Sequence, residues 1–156
     1  MEPTTLIDNY LDGPQLLRKA VAGMSREQLM ARPIPGKWST LEVICHLADF
    51  EIVCGDRIKR VIAENEPTLF GGDPDLFAAR LAYDQRNAEE ELLLIELIRK
   101  QVARILRTLK AEDFQRRGIH SEAGPLTLET LIQRMTGHIT HHVQFIEEKR
   151  KAMAQQ

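Results

Sequence analysis

The 156-residue chain holds five histidines, His46, His120, His138, His141 and His142, and their spacing decides which could act together. His138 and His142 are four residues apart, so on a helix their imidazoles lie one turn apart on the same face. At 100° per residue, His142 falls about 45° from the centre of that segment's apolar stripe and His138 about 85°. His141 falls about 145° away and faces solvent. His46 belongs to a different segment and lies roughly 80° from the centre of its stripe. A lone flanking histidine is usually a hydrogen-bonded boundary residue. If the two flanks meet, however, three neutral imidazoles can hold one divalent cation, and imidazole suits zinc, nickel, iron and copper. Three ligands leave a coordination position open, the pattern of a reactive site. Ile139-Thr140 follows His138 where a zinc-protease helix would carry His-Glu-x-x-His, which argues against that chemistry.

A cation so held makes a bound water or thiol give up its proton more easily; for zinc-bound water the pKa falls to about 7. Thiolate attack and hydrolysis are both open to such a site, and ligand number does not separate them. Metal-bound histidines usually donate their other N–H to a carboxylate or carbonyl. Glu42 and Asp49, four before and three after His46, are therefore candidates to approach the site, although Glu42 also fits a helix cap and Asp49 a surface ion pair. Gln144 and Arg134 flank the spaced pair and read as surface or helix-contact residues. Tyr83 and Arg86 are candidates for a pocket wall, and Trp38 for a plug at the end of the fold. Cys45 and Cys54 are nine residues apart in one helical segment, about 13 Å along its axis. That is too far for a disulfide, and both read as small buried hydrophobes. Cys45 does not face its neighbour His46 on a helix and is given no nucleophilic part.

Four long segments with helical periodicity must position these residues. The first runs from about Thr5 to Met24, with Gly13-Pro14 predicting a kink or a late start. After a polar loop ending in Arg32-Pro33-Ile34-Pro35-Gly36-Lys37-Trp38, Ser39 and Glu42 fit a capping box for a second helix reaching about Asn65. Its stripe is Val43, Leu47, Phe50, Cys54, Ile58 and Val61. A long loop from Glu66 to Asp75 leads to a short helix from Asp75 to about Tyr83. The third long helix spans about Asn87 to Lys110, its buried side read as Leu93, Leu94, Leu97, Ile98, Val102, Ile105, Leu106 and Leu109. A connection over Arg116–Leu126 precedes the fourth, capped at Thr127 and ending near Lys151, with Leu128, Leu131, Ile132, Met135, Ile139, Val143 and Ile146 inward. Four amphipathic helices of roughly 30 to 38 Å bury their stripes as a bundle. The expectation is an all-α fold, residues 1–156 forming a single domain, with no central strand.

Composition narrows the field. Hydrophobic residues make up 43% and charged residues 28%, ordinary for a globular chain and too apolar for a disordered one. A net charge of −2 gives no electrostatic footprint for nucleic acid or anionic membranes. Leu92-Leu93-Leu94-Ile95 stops at Glu96, so no run spans a bilayer. Met1–Thr5 lacks the charge and apolar stretch of a signal peptide, and a cytoplasmic location is expected.

Trp38-Ser39 leading into Glu42-Val43-Ile44-Cys45-His46-Leu47-Ala48-Asp49, followed by Gly137-His138-Ile139-Thr140-His141-His142-Val143-Gln144-Phe145-Ile146, resembles the DinB-like (DinB/YfiT) metalloenzyme superfamily over most of the chain. The resemblance implies a four-helix bundle of up-down-down-up topology, with His46, His138 and His142 as metal ligands. It further implies a homodimer and, in some members, transfer of low-molecular-weight thiols such as bacillithiol or mycothiol. Zinc or nickel leads among the expected metals, with iron and manganese next. A metal-dependent transferase acting on a small thiol is the leading expectation. Its alternatives are a metal-dependent hydrolase and a non-catalytic dimeric helical module with a structural metal.

Overall fold

The structure is a computed structural model that describes residues 1–155. Four long helices dominate: α1 (Pro3–Val21), α3 (Thr40–Ala63), α5 (Ala88–Leu106) and α6 (Leu128–Ala154). Between them lie two short helices, α2 (Arg26–Met30) and α4 (Pro74–Arg80). A small sheet of β1 (Thr68–Leu69), β2 (Arg117–His120) and β3 (Gly124–Thr127) completes the fold. β2 pairs antiparallel with β3 and parallel with β1. β1 lies in a segment read from sequence as a loop, and β2 and β3 in one read as a connection with a small extended turn; two to four residues are too few to carry a period-two signal.

Two buried clusters fix the direction of each long helix. One joins Leu6 and Tyr10 at the start of α1, Ile58 and Val61 at the end of α3, Val102 and Leu106 at the end of α5, and Leu131 and Ile132 at the start of α6. The other joins Leu17 late in α1, Val43 and Leu47 early in α3, Leu92 and Ile95 early in α5, and Ile139 and Ile146 late in α6. α1 and α6 therefore run one way and α3 and α5 the other, an up-down-down-up bundle. α1 and α3 each pack against both α5 and α6, so chain neighbours α1/α3 and α5/α6 stand on the diagonals. Parallel α3 and α5 need a return crossover, which is why residues 64–87 form a long link carrying β1 and α4.

Two expectations are corrected. Gly13-Pro14 neither delays nor interrupts α1, which is helical across both residues. Proline has no N–H to donate to the carbonyl four residues earlier, which here belongs to Tyr10. Arg99 of α5 replaces the missing donor, its Nη1 lying 2.6 Å from the Tyr10 carbonyl oxygen. Gly13 makes room, since a Cβ there would collide with the same guanidinium. The second correction concerns α5. Leu93 and Leu97, read as inward, are 47% and 54% exposed, while Glu91, Leu92, Ile95, Arg99, Val102, Ala103 and Leu106 face in. The true stripe contains two charged residues, so an apolar count sets it off-centre, although Val102 and Leu106 are buried as expected and Leu94, Ile98 and Leu109 pack against the core.

Arg99 is wholly buried and touches all four long helices. Besides the Tyr10 carbonyl on α1, its Nη2 donates to Glu51 Oε2 on α3 at 2.9 Å and to the Met135 carbonyl on α6 at 2.8 Å. Glu51 also accepts the Tyr10 hydroxyl at 2.8 Å, and the guanidinium lies 4.4 Å from the centre of the Tyr10 ring. Removing one partner of such a buried pair strands the other charge. Arg99→Leu is expected to lower unfolding free energy by about 3–5 kcal/mol in urea titration, with part regained in Arg99→Leu/Glu51→Leu. An unchanged midpoint in the single variant would contradict this role.

Candidate metal centre

The three histidines reach one point by local signals that are simple to trace. Ser39 Oγ accepts the Glu42 N–H at 3.1 Å and Glu42 Oε2 accepts the Ser39 N–H at 2.7 Å, the reciprocal cap expected from sequence. That cap fixes where α3 begins and hence where His46 points, two turns later. On α6 the expected ranking also holds: His138 and His142 are half-buried on the flank and His141 is exposed.

The rings converge. Centroids of His46 and His138 are 4.9 Å apart, His46 and His142 4.7 Å, and His138 and His142 4.8 Å, a nearly equilateral triangle. One ring nitrogen from each lies within 4.8 Å of the other two. Nε2 of His46 is 2.9 Å from Nε2 of His138. His46 is only 5% exposed, packed between Trp38 (5.2 Å) and Phe50 (4.7 Å).

Electrostatics keep the cluster neutral. Burial, and then the neighbouring His142, push His46 down to about 4, with Asp49 opposing. Burial, His46, Arg99 and His141 push His138 to about 4. Burial, His138, His141 and Lys149 do the same to His142. Neutral imidazoles offer lone pairs, and the donor set is of the kind zinc and nickel accept. The buried Nδ1 atoms of His46 and His142 have no hydrogen-bond partner, so the rings are not satisfied by the protein around them. The residues present therefore fit a divalent cation.

Other sequence candidates go elsewhere. Glu42 is held by the cap and by Arg32. Asp49 takes a bidentate pair from Arg86, at 2.8 and 2.9 Å, and Arg86 also grips Glu91 on α5 at 2.6 and 2.8 Å. Neither carboxylate hydrogen-bonds a site histidine. Arg86 lies over the ring of buried Tyr83, so both belong to a clamp between α3 and α5 and not to a pocket wall. Gln144 and Arg134 are exposed. Cys45 is fully buried, with burial pushing its thiol up to about 12, which leaves it inert. Cys54 is likewise buried and free. His120 accepts the Glu122 and Ala123 N–H groups and serves its own turn.

Trp38 packs against the buried cluster at its end of the bundle, as expected of a plug. It lines a cavity of about 270 Å³ that also touches His142, Val43, Phe145 and Lys149. Sequence reasoning missed Lys149, because a lysine in the last turns of a helix is ordinarily a solvated partner of the helix dipole. It also missed Phe145, whose aromatic ring beside His142 was the one available hint.

Comparison with known proteins agrees with this geometry. The DinB superfamily matches residues 10–146. A protein of Oceanobacillus iheyensis, named as a candidate metal-dependent hydrolase, is 32% identical over 140 residues, 90% of this chain and 81% of its own. One from Bacillus cereus with the same description is 26% identical over 96% of this chain and 86% of its own. The structure of YfiT from Bacillus subtilis, described as a candidate metal-dependent hydrolase with an unusual four-helix bundle topology, superposes with a TM-score of 0.90. It is 25% identical and the match covers 98% of this chain and 88% of that one. A mycothiol-dependent maleylpyruvate isomerase shares the fold at TM-score 0.72 and 10% identity, over 92% of this chain and 60% of its own. Among the described residues no helix is long and apolar enough to cross a membrane.

The lowered histidines make stability depend on pH. An unfolded histidine titrates near 6.5 and these near 4, so between the two values the unfolded state binds more protons. The stabilisation is present above about pH 6.5 and is lost as pH falls through 4. Urea midpoints of the cation-free protein should drop across that window. The His46→Gln/His138→Gln/His142→Gln variant should lose much of that slope; equal slopes would refute the assignment.

Proposed function

The chain belongs to the DinB superfamily, and from that premise we propose that it is a metal-dependent enzyme in which His46, His138 and His142 hold one divalent cation. The reading is carried by one observation: three neutral, inward imidazoles from two helices meet in a triangle with sides of 4.7 to 4.9 Å. Zinc and nickel suit a donor set of imidazoles, as iron does, whereas manganese, which prefers carboxylate oxygens, suits it least of the metals expected. A cation bound there would act as a Lewis acid that eases deprotonation of a thiol or a water.

The chain's own residues favour the thiol. Hydrolysis benefits from a carboxylate base beside the site, and the two nearest in sequence are engaged, Glu42 by the cap and Arg32, Asp49 by Arg86. A thiol needs less help, since its pKa starts near 8.5 and its anion is already a strong nucleophile. Trp38, Val43 and Phe145 supply an apolar wall next to His142. The function proposed is transfer of a low-molecular-weight thiol to a small electrophile. The second reading is hydrolysis, which the names of the Oceanobacillus and Bacillus relatives favour.

Protein purified without a histidine tag and reconstituted with zinc or nickel should bind about one ion per chain. His142→Ala should reduce binding at least a hundredfold while leaving the helical circular dichroism intact. A panel of small thiols with monochlorobimane should give a rate that chelator abolishes. Substoichiometric metal would reject the whole reading. A chelator-sensitive esterase rate with no thiol dependence would select hydrolysis instead.

A further inference from the structure

Lys149 makes no ion pair in the bundle and is not one of the three converging imidazoles. It lies in the last third of α6, is only 3% exposed, and lines the same cavity as His142. Its Nζ donates to the Phe145 carbonyl at 3.2 Å, so the ammonium folds back along the helix toward the histidines. Among the described residues no carboxylate oxygen comes within ion-pair distance of it. Glu42 is committed to the cap, while Lys37 and Glu148 at the cavity rim are exposed. A buried ammonium without a counter-charge is costly. Such a charge is normally paired, and Lys149 lines the cavity of about 270 Å³.

We propose that this cavity binds a small organic anion, its carboxylate on Lys149 Nζ, its apolar body against Trp38, Val43 and Phe145, and its reacting end toward His142. The proposal deepens the functional reading above, on which the position of the reacting end rests. Lys149 and His142 are seven residues apart, about 10 Å along the axis, and the backward fold of the lysine shortens that span. The ligand is accordingly a carboxylate only a few atoms longer than its apolar core. The exposed Glu148 at the rim disfavours ligands with a second negative charge at the mouth.

The full chain is titrated with sodium phenylacetate and with its neutral analogue phenylacetamide, first without added metal and then with zinc. Phenylacetate should bind more tightly than the amide in both states. Lys149→Met should weaken phenylacetate by roughly tenfold to a hundredfold and leave the amide unchanged, and Lys149→Arg should retain the preference. If Lys149→Met does not fold, Lys149→Gln gives the same comparison. Equal affinity for acid and amide, or acid binding that needs zinc and ignores Lys149, overturns the proposal. A Lys149-dependent preference in a protein that binds no metal supports the anion pocket while rejecting the metal-dependent function.

Discussion

The Arg99 guanidinium sets the register on which the rest of the molecule depends. One side chain on α5 bonds to α1 through the Tyr10 carbonyl, to α3 through Glu51 and to α6 through the Met135 carbonyl. Glu51 is five residues beyond His46 and Met135 three before His138, so locking those two levels together brings the three imidazoles to one height. The charge also reaches the site directly, since Arg99 is among the groups that keep His138 unprotonated. Interior electrostatics and the histidine cluster are thus one construction, in which a fixed positive charge below helps to keep the lone pairs above it free.

Around this knot the topology assigns each connection a task. Ser39 and Glu42 start α3 at a defined residue. The return crossover from α3 to α5 covers the outer side of α3: Phe77 of α4 stacks on Phe50, which in turn packs on His46. Its last residues, Tyr83 and Arg86, clamp α3 to α5 through Asp49 and Glu91. At the opposite end the small sheet closes the bundle, and Gly118 is required there because a Cβ would run into Leu69 and Val61.

The histidines were legible in the sequence because each interrupts an apolar stripe at its flank, and the 3.6-residue period alone separates His138 and His142 from His141. The helix starts were legible for a similar reason: Ser39 and Thr127 advertise caps chemically. The inward face of α5 was legible only in part, since leucines lie on both sides of that helix and the decisive residue is a charge. Pro14 misled because its usual consequence assumes that nothing else can satisfy the abandoned carbonyl. Lys149 was invisible for the opposite reason, being an unremarkable residue type in its usual place, distinguished only by what closes over it.

The diagonal placement of chain neighbours has a consequence for how the molecule comes into being. In an up-and-down bundle consecutive helices zip as local hairpins, and low contact order makes such proteins fast folders. Here α1 does not rest on α3, nor α5 on α6, so of the three consecutive pairs of long helices only α3 and α5 pack together, in parallel and across a long crossover. The shortest loop that a lasting association between long helices can close is the crossover from α3 to α5, and the other packed pairs close larger ones. Entropy of loop closure therefore falls early, and the chain is expected to fold more slowly than its helical content suggests, with the imidazole triangle waiting on the distant docking of α6 against α3.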